Sequence, residues 1–487
     1  GDYTITAGRG FEYSIATTGV RLATGEKVAR ELIIRREVNT KGYVACDTHV
    51  HTLTHSGHGD ATVRERMITL ACEGIELPIA TDHNVQIDHR PFAKETQVEK
   101  YFTPVIGNEV TTNVGHFNIW PIPRGARIPN HRSADWNWIF NEIYGTPGAR
   151  IVILNHARDL HGGTIPFGPK IHNALSGVNL DGWPIRFNAM EVINSGAVQS
   201  DALQLCRDWM ALLNAGHNIT PVGCSDSHDV GRHFVGQART YIRCDDRDPG
   251  QIDIDRAAES FLHGEVLVSY GLLCDLTVEG RYQSGAFAQP SSDAINVSVQ
   301  VSGPTWTSAT RVLLFANGVE VRSQPIDTTQ ADAFSAGTHA TISWTLELPP
   351  HDMHLVAVAT GPGIEGLYWK TAKPYQPTSP IWTSQTLGIS GPIWIDADRD
   401  GRRWSASDYA RDIIAKSKGD LRTCLDALKP YDESIAIQVA HQLELNGLSP
   451  LSDATTFEIV RAAKQVRSGF EKYQSQCREN QIARESK

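Results

Sequence analysis

Residues 43–52 read YVACDTHVHT, an apolar run that closes on Asp47 and then presents His49 and His51 two positions apart. Successive side chains of an extended chain point to opposite sides, so His49 and His51 face the same way and both can reach one cation. An isolated pair of this kind is common. Its weight comes from the recurrence of the same arrangement downstream.

Further apolar runs are expected as strands at 77–81, 103–109, 116–122, 150–155, 189–193, 220–224 and 238–243. Asp82 and His83 follow the first of these, Glu109 ends the second and His116 opens the third. His156 follows the run at 150–155, and Asp226 and His228 follow the run at 220–224. Helix signals lie between them. Thr62 with Glu65 forms a capping box ahead of Val63, Met67, Leu70 and Ala71 on one face. Asp201 caps a helix carrying Leu205, Cys206, Trp209 and Leu213, and Gly216 closes it. Strand–helix alternation over 43–271 predicts an α/β fold, a (β/α) barrel or a related layered form. Ligands of such folds sit at the C-terminal ends of the strands, where these histidines and carboxylates fall.

Around this segment, residues 1–42 read as short strands at 3–7, 11–16 and 28–36, the remnant of an N-terminal β module. Residues 272–390 lose helical periodicity and alternate, as expected of an antiparallel β-sandwich. From 391 to 487 the chain turns helical, with a second capping box at Ser405 and Asp408 and three or four helices expected.

Composition narrows the function. The formal net charge of −10 argues against a surface that coats nucleic acid. No apolar run approaches the ~20 residues of a membrane span. The chain opens on Gly1 rather than Met and without a leader pattern, so a processed or trimmed start is expected. The eight cysteines are scattered without a CxxC pair, and most are expected as buried free thiols, Cys72 and Cys206 on apolar helix faces among them. Of 19 histidines, 14 lie between His49 and His233. Imidazole and carboxylate together suit zinc, manganese or iron, and a carboxylate such as Glu109 can bridge two ions.

The order HxH, TDH, GxE, H, H, SDxH, with the run HVHTLTHSGHGDAT…GIELPIATDHN, resembles the polymerase-and-histidinol-phosphatase (PHP) superfamily of metallohydrolases, most closely its carbaryl-hydrolase-like (CehA/McbA) branch. The resemblance covers roughly residues 43–245. It implies a distorted (β/α)7 barrel holding two or three divalent transition metals. Carried over motif by motif, His49, His51, Glu109 and Asp226 would hold the first metal, and Glu109, His116 and His156 the second. His58, His83 and His228 would hold the third. Because the loop after HxH is longer than the family pattern, His55 or Asp60 are the alternatives to His58.

The chemistry implied is hydrolysis. Two close cations lower the pKa of a bridging water from 15.7 toward about 7, supplying a metal-bridging hydroxide at neutral pH. They also neutralise charge developing on a phosphoryl or carbonyl oxygen. A third ion, or His228 itself, would stabilise the leaving oxygen. Arg158 reads either as an anion clamp at the mouth or as a salt bridge at the barrel rim, with Arg232 and His233 as further cationic candidates. Asp82 is expected to orient a histidine. His89 and His161 read as loop histidines. Glu191 and Asn194 end a strand at the same mouth, as ligand supports or as structural hydrogen-bond partners.

Outside the barrel, Asp396-Ala-Asp398-Arg-Asp400-Gly401 has the DxDxDG opening of a calcium loop, although its twelfth position is Ser407. Calcium and a solvated acidic turn are both open here.

Three functions follow. The first is a metal-dependent hydrolase of small phosphate esters, and the second a hydrolase of carbamate or carboxylic esters on the same cluster. Trp183, Phe187 and the Trp136/Trp138 pair are the candidate apolar wall of such an esterase pocket. The third is a non-catalytic, metal-stabilised protein that binds polysaccharide or a partner. The β modules and the calcium-type loop point to an extracytoplasmic location, periplasmic or secreted.

Overall fold

The apolar run at Tyr43 becomes the strand Tyr43–Val50, whose Val44 and Cys46 point into a core shared with Leu77, Ile79, Ile153, Val222 and Val266. The protein is seen in a computed structural model that describes residues 1–159, 163–327, 337–374 and 383–486. His161 lies outside them. Twenty-three strands and eleven α-helices are described, so the mixed α/β class expected from the sequence is present.

Two sheets surround that core. In one, Tyr43–Val50, Leu77–Ala80 and Val105–Ile106 run parallel, and Arg239–Arg243 pairs antiparallel with Tyr43–Val50. The other has the order Thr220–Cys224, Ala189–Asn194, Ile151–Leu154, Gly115–Trp120, Asn108–Thr112. The two sheets adjoin through single bridges, Val50 with Ser227 and His83 with Glu109. Among the described residues they do not form one closed strand ladder.

Part of the reason lies between Asn108–Thr112 and Gly115–Trp120. Asn113 and Val114 alone connect them, too short a link for the crossover that parallel strands need, so the two form an antiparallel hairpin. The hairpin register sets Glu109 opposite Asn118 and Thr111 opposite His116. Residues of alternate positions share a face, so Glu109, Thr111 and His116 look the same way.

Local signals hold elsewhere. Thr62 caps Val63–Glu73 in a capping box with Glu65, and Gly74 closes that helix with φ +67°. Ser405 and Asp408 form the second box, at the start of Ala406–Lys416. Asp201 does not cap Gln204–Asn214 directly; its carboxylate accepts from Leu203 N at 3.1 Å in the preceding turn. The sequence-predicted strand at 28–36 does not form. Val28 and Ile33 are exposed, and pairing is confined to the end of the segment, where Arg35 bonds Ser14 and Arg36 bridges to Tyr13, so no continuous ladder supports a strand. Asp2–Ala7 pairs instead with Ala16–Arg21. Phe11 and Val38 dock this N-terminal segment against Ala45, Tyr241 and Trp369.

Antiparallel strands fill much of the region expected as a sandwich. Leu273–Val278, Ala294–Ser302 and Thr338–Glu347 form one antiparallel layer, which shares a core with strands that include Arg311–Ala316 and Met353–Pro362. This second layer is continuous with the first sheet, because Val266–Tyr270 pairs with both Arg239–Arg243 and Gln385–Ser390. A single sheet therefore crosses the expected boundary at 271/272. Five helices follow from Ala406 onward, rather than three or four, since short Leu421–Ala427 and Asp453–Ile459 separate the longer ones. Among the described residues no helix is long and apolar enough to cross a membrane. All eight cysteines are free thiols; six are buried, but Cys72 is exposed, on the solvent side of its helix.

Candidate metal centre

Strand ends deliver the site. Asp47, fully buried within Tyr43–Val50, accepts backbone N–H bonds from His49 and Ser225 at 3.1 Å and Gly236 at 2.7 Å. That carboxylate ties the HxH segment to the segment carrying Asp226 and His228. Arg66 ties them again, donating to the carbonyls of His51 and Ser227, both at 2.9 Å. Asp226 and His156 hold φ of +50° and +24°, the left-handed region that non-glycine residues enter at a cost and that clusters at functional sites.

Glu109 sits at the centre, fully buried. Its Oε1 lies 3.1 Å from His116 Nδ1, 3.4 Å from His49 Nε2 and 3.5 Å from His156 Nε2. Its Oε2 lies 3.7 Å from His51 Nε2 and contacts His83 Nδ1. Asp226 Oδ1 stands 3.3 Å from both His49 Nε2 and His51 Nε2. Two donors each about 2.1 Å from a tetrahedral ion are about 3.4 Å apart. Spacings of this size would accommodate a cation between the donors. The Nε2 atoms of His49, His51 and His228 are buried without a hydrogen-bond partner, which is costly unless something else occupies the lone pair. Several groupings have ligand atoms within 4.8 Å of one another, among them His49/His51/Glu109, Glu109/His116/His156, His49/His156/Asp226, His51/His83/His228 and His49/Glu191/Cys224. Buried groups that could hold metal ions are thus present, and they contain eight of the nine sequence-predicted ligands.

The ninth is His58. Its exposed ring stacks 4.3 Å from that of His228 and 5.1 Å from that of His83. His55 turns instead toward Phe92, and Asp60 is engaged by Val230 N at 2.6 Å. Of the three candidates, the structure brings only His58 to the cluster. Gly59 makes this possible: with φ +85°, its Cα approaches so closely that a Cβ would lie 2.3 Å from the His228 carbonyl oxygen.

Electrostatics follow from this crowding. Burial raises the carboxyl of Glu109, but the charges of His49, His116 and His83 outweigh it and hold the group well below the usual carboxylate range. Asp226 is likewise held low against burial, by His49 and His51. Against its own burial, His156 is pushed up to about 9 by Glu109 and Asp226, whereas burial and His228 bring His51 down to about 3. Without a metal, protons on part of the cluster balance the carboxylates. Metal binding releases such protons.

Supporting groups surround the ligands. Glu191, fully buried, takes His49 Nδ1 at 2.6 Å and accepts from His156 N at 2.5 Å and Asn194 Nδ2 at 2.9 Å. With its proton on Nδ1, His49 turns the bare Nε2 to the cluster. Glu191→Gln is expected to weaken metal affinity about 10- to 100-fold, the usual effect of losing such a support. Competition with a chromophoric chelator measures it; unchanged affinity would mean that Glu191 does not orient His49. Asp82 accepts from Ser56 Oγ at 2.6 Å, and Ser56 Oγ meets His51 Nδ1 at 3.1 Å, so Asp82 supports a histidine through a hydroxyl. His89 is buried 3.9 Å from Asp82, away from the cluster.

Arg158 is corrected by the structure. Its Nε and Nη2 reach Asp208 at 2.5 and 2.8 Å, the salt-bridge alternative, and it does not line the cavity. A bidentate pair with a buried carboxylate leaves no fork for an anion. The aromatic wall is also absent. Trp136 and Phe187 are buried core, Trp183 packs on Trp136, and Trp138 is exposed. The cavity above the cluster measures about 680 Å³. Apart from Gly59 and Gly196, all its described lining residues carry polar side chains, and Arg232 is the arginine among them.

Arg66 and Asp159, the second a lining residue, were not singled out in the sequence. Arg66 left a signal: it shares the helix face of Val63 and Leu70, where a charge is expected only with buried partners.

Comparison with family models, with curated proteins and with solved structures returned no match.

Proposed function

We propose that the protein is a metal-dependent hydrolase of phosphate esters, of the PHP type that its motif order resembles, with the two adjoining sheets as a distorted barrel. The observation that carries this reading is the cavity, with Arg232 at its mouth, over a buried cluster in which Glu109 and Asp226 are each approached by several histidines. A site that only stabilised the fold would need no such cavity at its ligands.

His49, His51, Glu109 and Asp226 would hold one metal and Glu109, His116 and His156 a second, with His83, His228 and His58 beside His51 for a third. When bound, such ions acidify water and neutralise charge on the reacting group. The chain's own residues do the rest. Asp47 and Arg66 fix the two ligand-bearing segments, and Glu191 fixes the His49 ring. His228, whose Nδ1 donates to the Asp226 carbonyl at 3.1 Å, keeps its unbonded Nε2 lone pair for the third ion. Arg232, at the rim, meets the anionic part of a substrate. The cationic Arg232 at the mouth favours an anionic phosphoester over a neutral aryl carbamate.

The test is a parallel assay of p-nitrophenyl phosphate, its bis-ester and a naphthyl carbamate, with wild type and Arg232→Ala. Phosphoester turnover is expected to dominate, and Arg232→Ala to raise KM for it about tenfold, the worth of one charge-assisted hydrogen bond. Preferential carbamate cleavage, with KM indifferent to Arg232, would overturn the phosphoester reading.

A further inference from the structure

A second group of carboxylates lies far along the chain from the histidines. The strand Ile393–Ile395 runs directly into Asp396, and the helix Ala406–Lys416 starts shortly after Gly401. Gly401 holds φ +77°, which lets the chain reverse sharply at the sixth position of the loop. Asp396 is 2% exposed. Its Oδ2 accepts from Gly401 N at 3.1 Å and from Gln289 Nε2 at 3.2 Å, so the carboxylate is turned back across the loop. Its Oδ1 is buried with no hydrogen-bond partner. A buried carboxylate oxygen left bare costs free energy that a cation would recover.

The neighbours sharpen the point. Asp398 and Asp400 follow on the exposed side of the turn, each accepting a backbone N–H through Oδ1, from Asp400 at 3.2 Å and Arg402 at 2.7 Å. Behind the loop, buried Asp352 accepts from Ala397 N at 3.0 Å and Trp404 N at 2.9 Å. Burial and the charges of Asp398 and Asp396 push its carboxyl up to about 7. Two nearby cations face elsewhere: Arg399 pairs with Asp293 at 2.6 Å, and Arg403 lies over the Trp394 ring at 4.4 Å.

We propose that the Asp396–Gly401 turn binds one calcium ion through the carboxylates of Asp396, Asp398 and Asp400. An all-oxygen set suits a hard cation, whereas the histidine cluster suits a transition metal, so the two sites select different ions. Ser407 stands where a bidentate carboxylate completes the strongest loops, and its Oγ accepts from Arg411. Asp408 is committed to Ser405 and Arg411. The site therefore belongs at the weak end of calcium loops, with Kd on the order of 10⁻⁴ to 10⁻³ M. The ion would tie the end of the large sheet to the first of the C-terminal helices.

Trp404 supplies the probe, since its Nε1 donates to Asp400 Oδ2 at 3.0 Å. Terbium added to the full-length, metal-loaded protein should emit on tryptophan excitation, and millimolar calcium should displace it. Asp400→Asn, which alters an exposed side chain, should reduce that calcium-displaceable emission about tenfold. Asp396→Asn, wherever it folds, should do the same. Emission that calcium does not displace, or that Asp400→Asn leaves intact, would overturn the proposal. Neither result bears on the hydrolase reading, whose assay is separate.

Discussion

Glu109→Gln is expected to lower phosphoester turnover by on the order of 10³-fold, about 4 kcal/mol of transition-state stabilisation, while the protein remains folded. Glutamine keeps the shape of the side chain, and its oxygen can still accept from Asn155 Nδ2, which reaches Glu109 Oε1 at 3.0 Å. What disappears is a negative charge approached by His49, His51, His83, His116 and His156. Two consequences should appear together. Bound metal should fall, because the two groupings built on Glu109 lose their carboxylate. His156, raised to about 9 because Glu109, Asp226 and Glu191 together outweigh burial, should titrate at lower pH in the metal-free variant. Circular dichroism, metal analysis and histidine NMR separate loss of the site from loss of the fold. Full turnover in Glu109→Gln would remove this residue from the centre of the mechanism.

Chelation should have an effect of similar size. Dialysis against a strong chelator is expected to strip at least two equivalents of transition metal and abolish hydrolysis. Zinc, manganese or iron added back should restore it. Ligand-linked stability should go as well, about 4 kcal/mol for a metal present at a thousand times its dissociation constant. The pH dependence has a definite sign. His49 and His156 are raised above the ordinary histidine value, so without metal they hold protons through neutrality. A metal must displace those protons, and its apparent affinity should therefore climb as pH rises toward about 9 and fall on acidification. Undiminished turnover after complete removal of metal would defeat the hydrolase reading.

Much of the centre was legible because each motif carries its own local evidence. An apolar run followed at once by imidazole or carboxylate marks the chain just past a strand at His83, His156 and Asp226, whereas His49 and Glu109 prove to lie within Tyr43–Val50 and Asn108–Thr112. What was not legible depends on pairing. Periodicity gives a strand but not its direction, so the antiparallel hairpin of Glu109 and His116 was invisible inside an alternation that suggested parallel strands. Arg158 illustrates the same limit. Its partner Asp208 lies 50 residues away on a helix, and either an anion or a carboxylate would satisfy the same guanidinium. The choice among His55, His58 and Asp60 rested on the path of a short loop. That path is set by Gly57 and Gly59, both in the left-handed region. Glu191 was noticed at a strand end, but only the 2.6 Å approach to His49 decides between a support and an ordinary hydrogen-bond acceptor.

The strand Val266–Tyr270 has hydrogen-bonded neighbours on both flanks, Arg239–Arg243 and Gln385–Ser390. A gene shortened at codon 271 would strip one flank bare and leave a row of open amides and carbonyls, an invitation to self-association. The two halves are thus poor candidates for recombination as interchangeable cassettes.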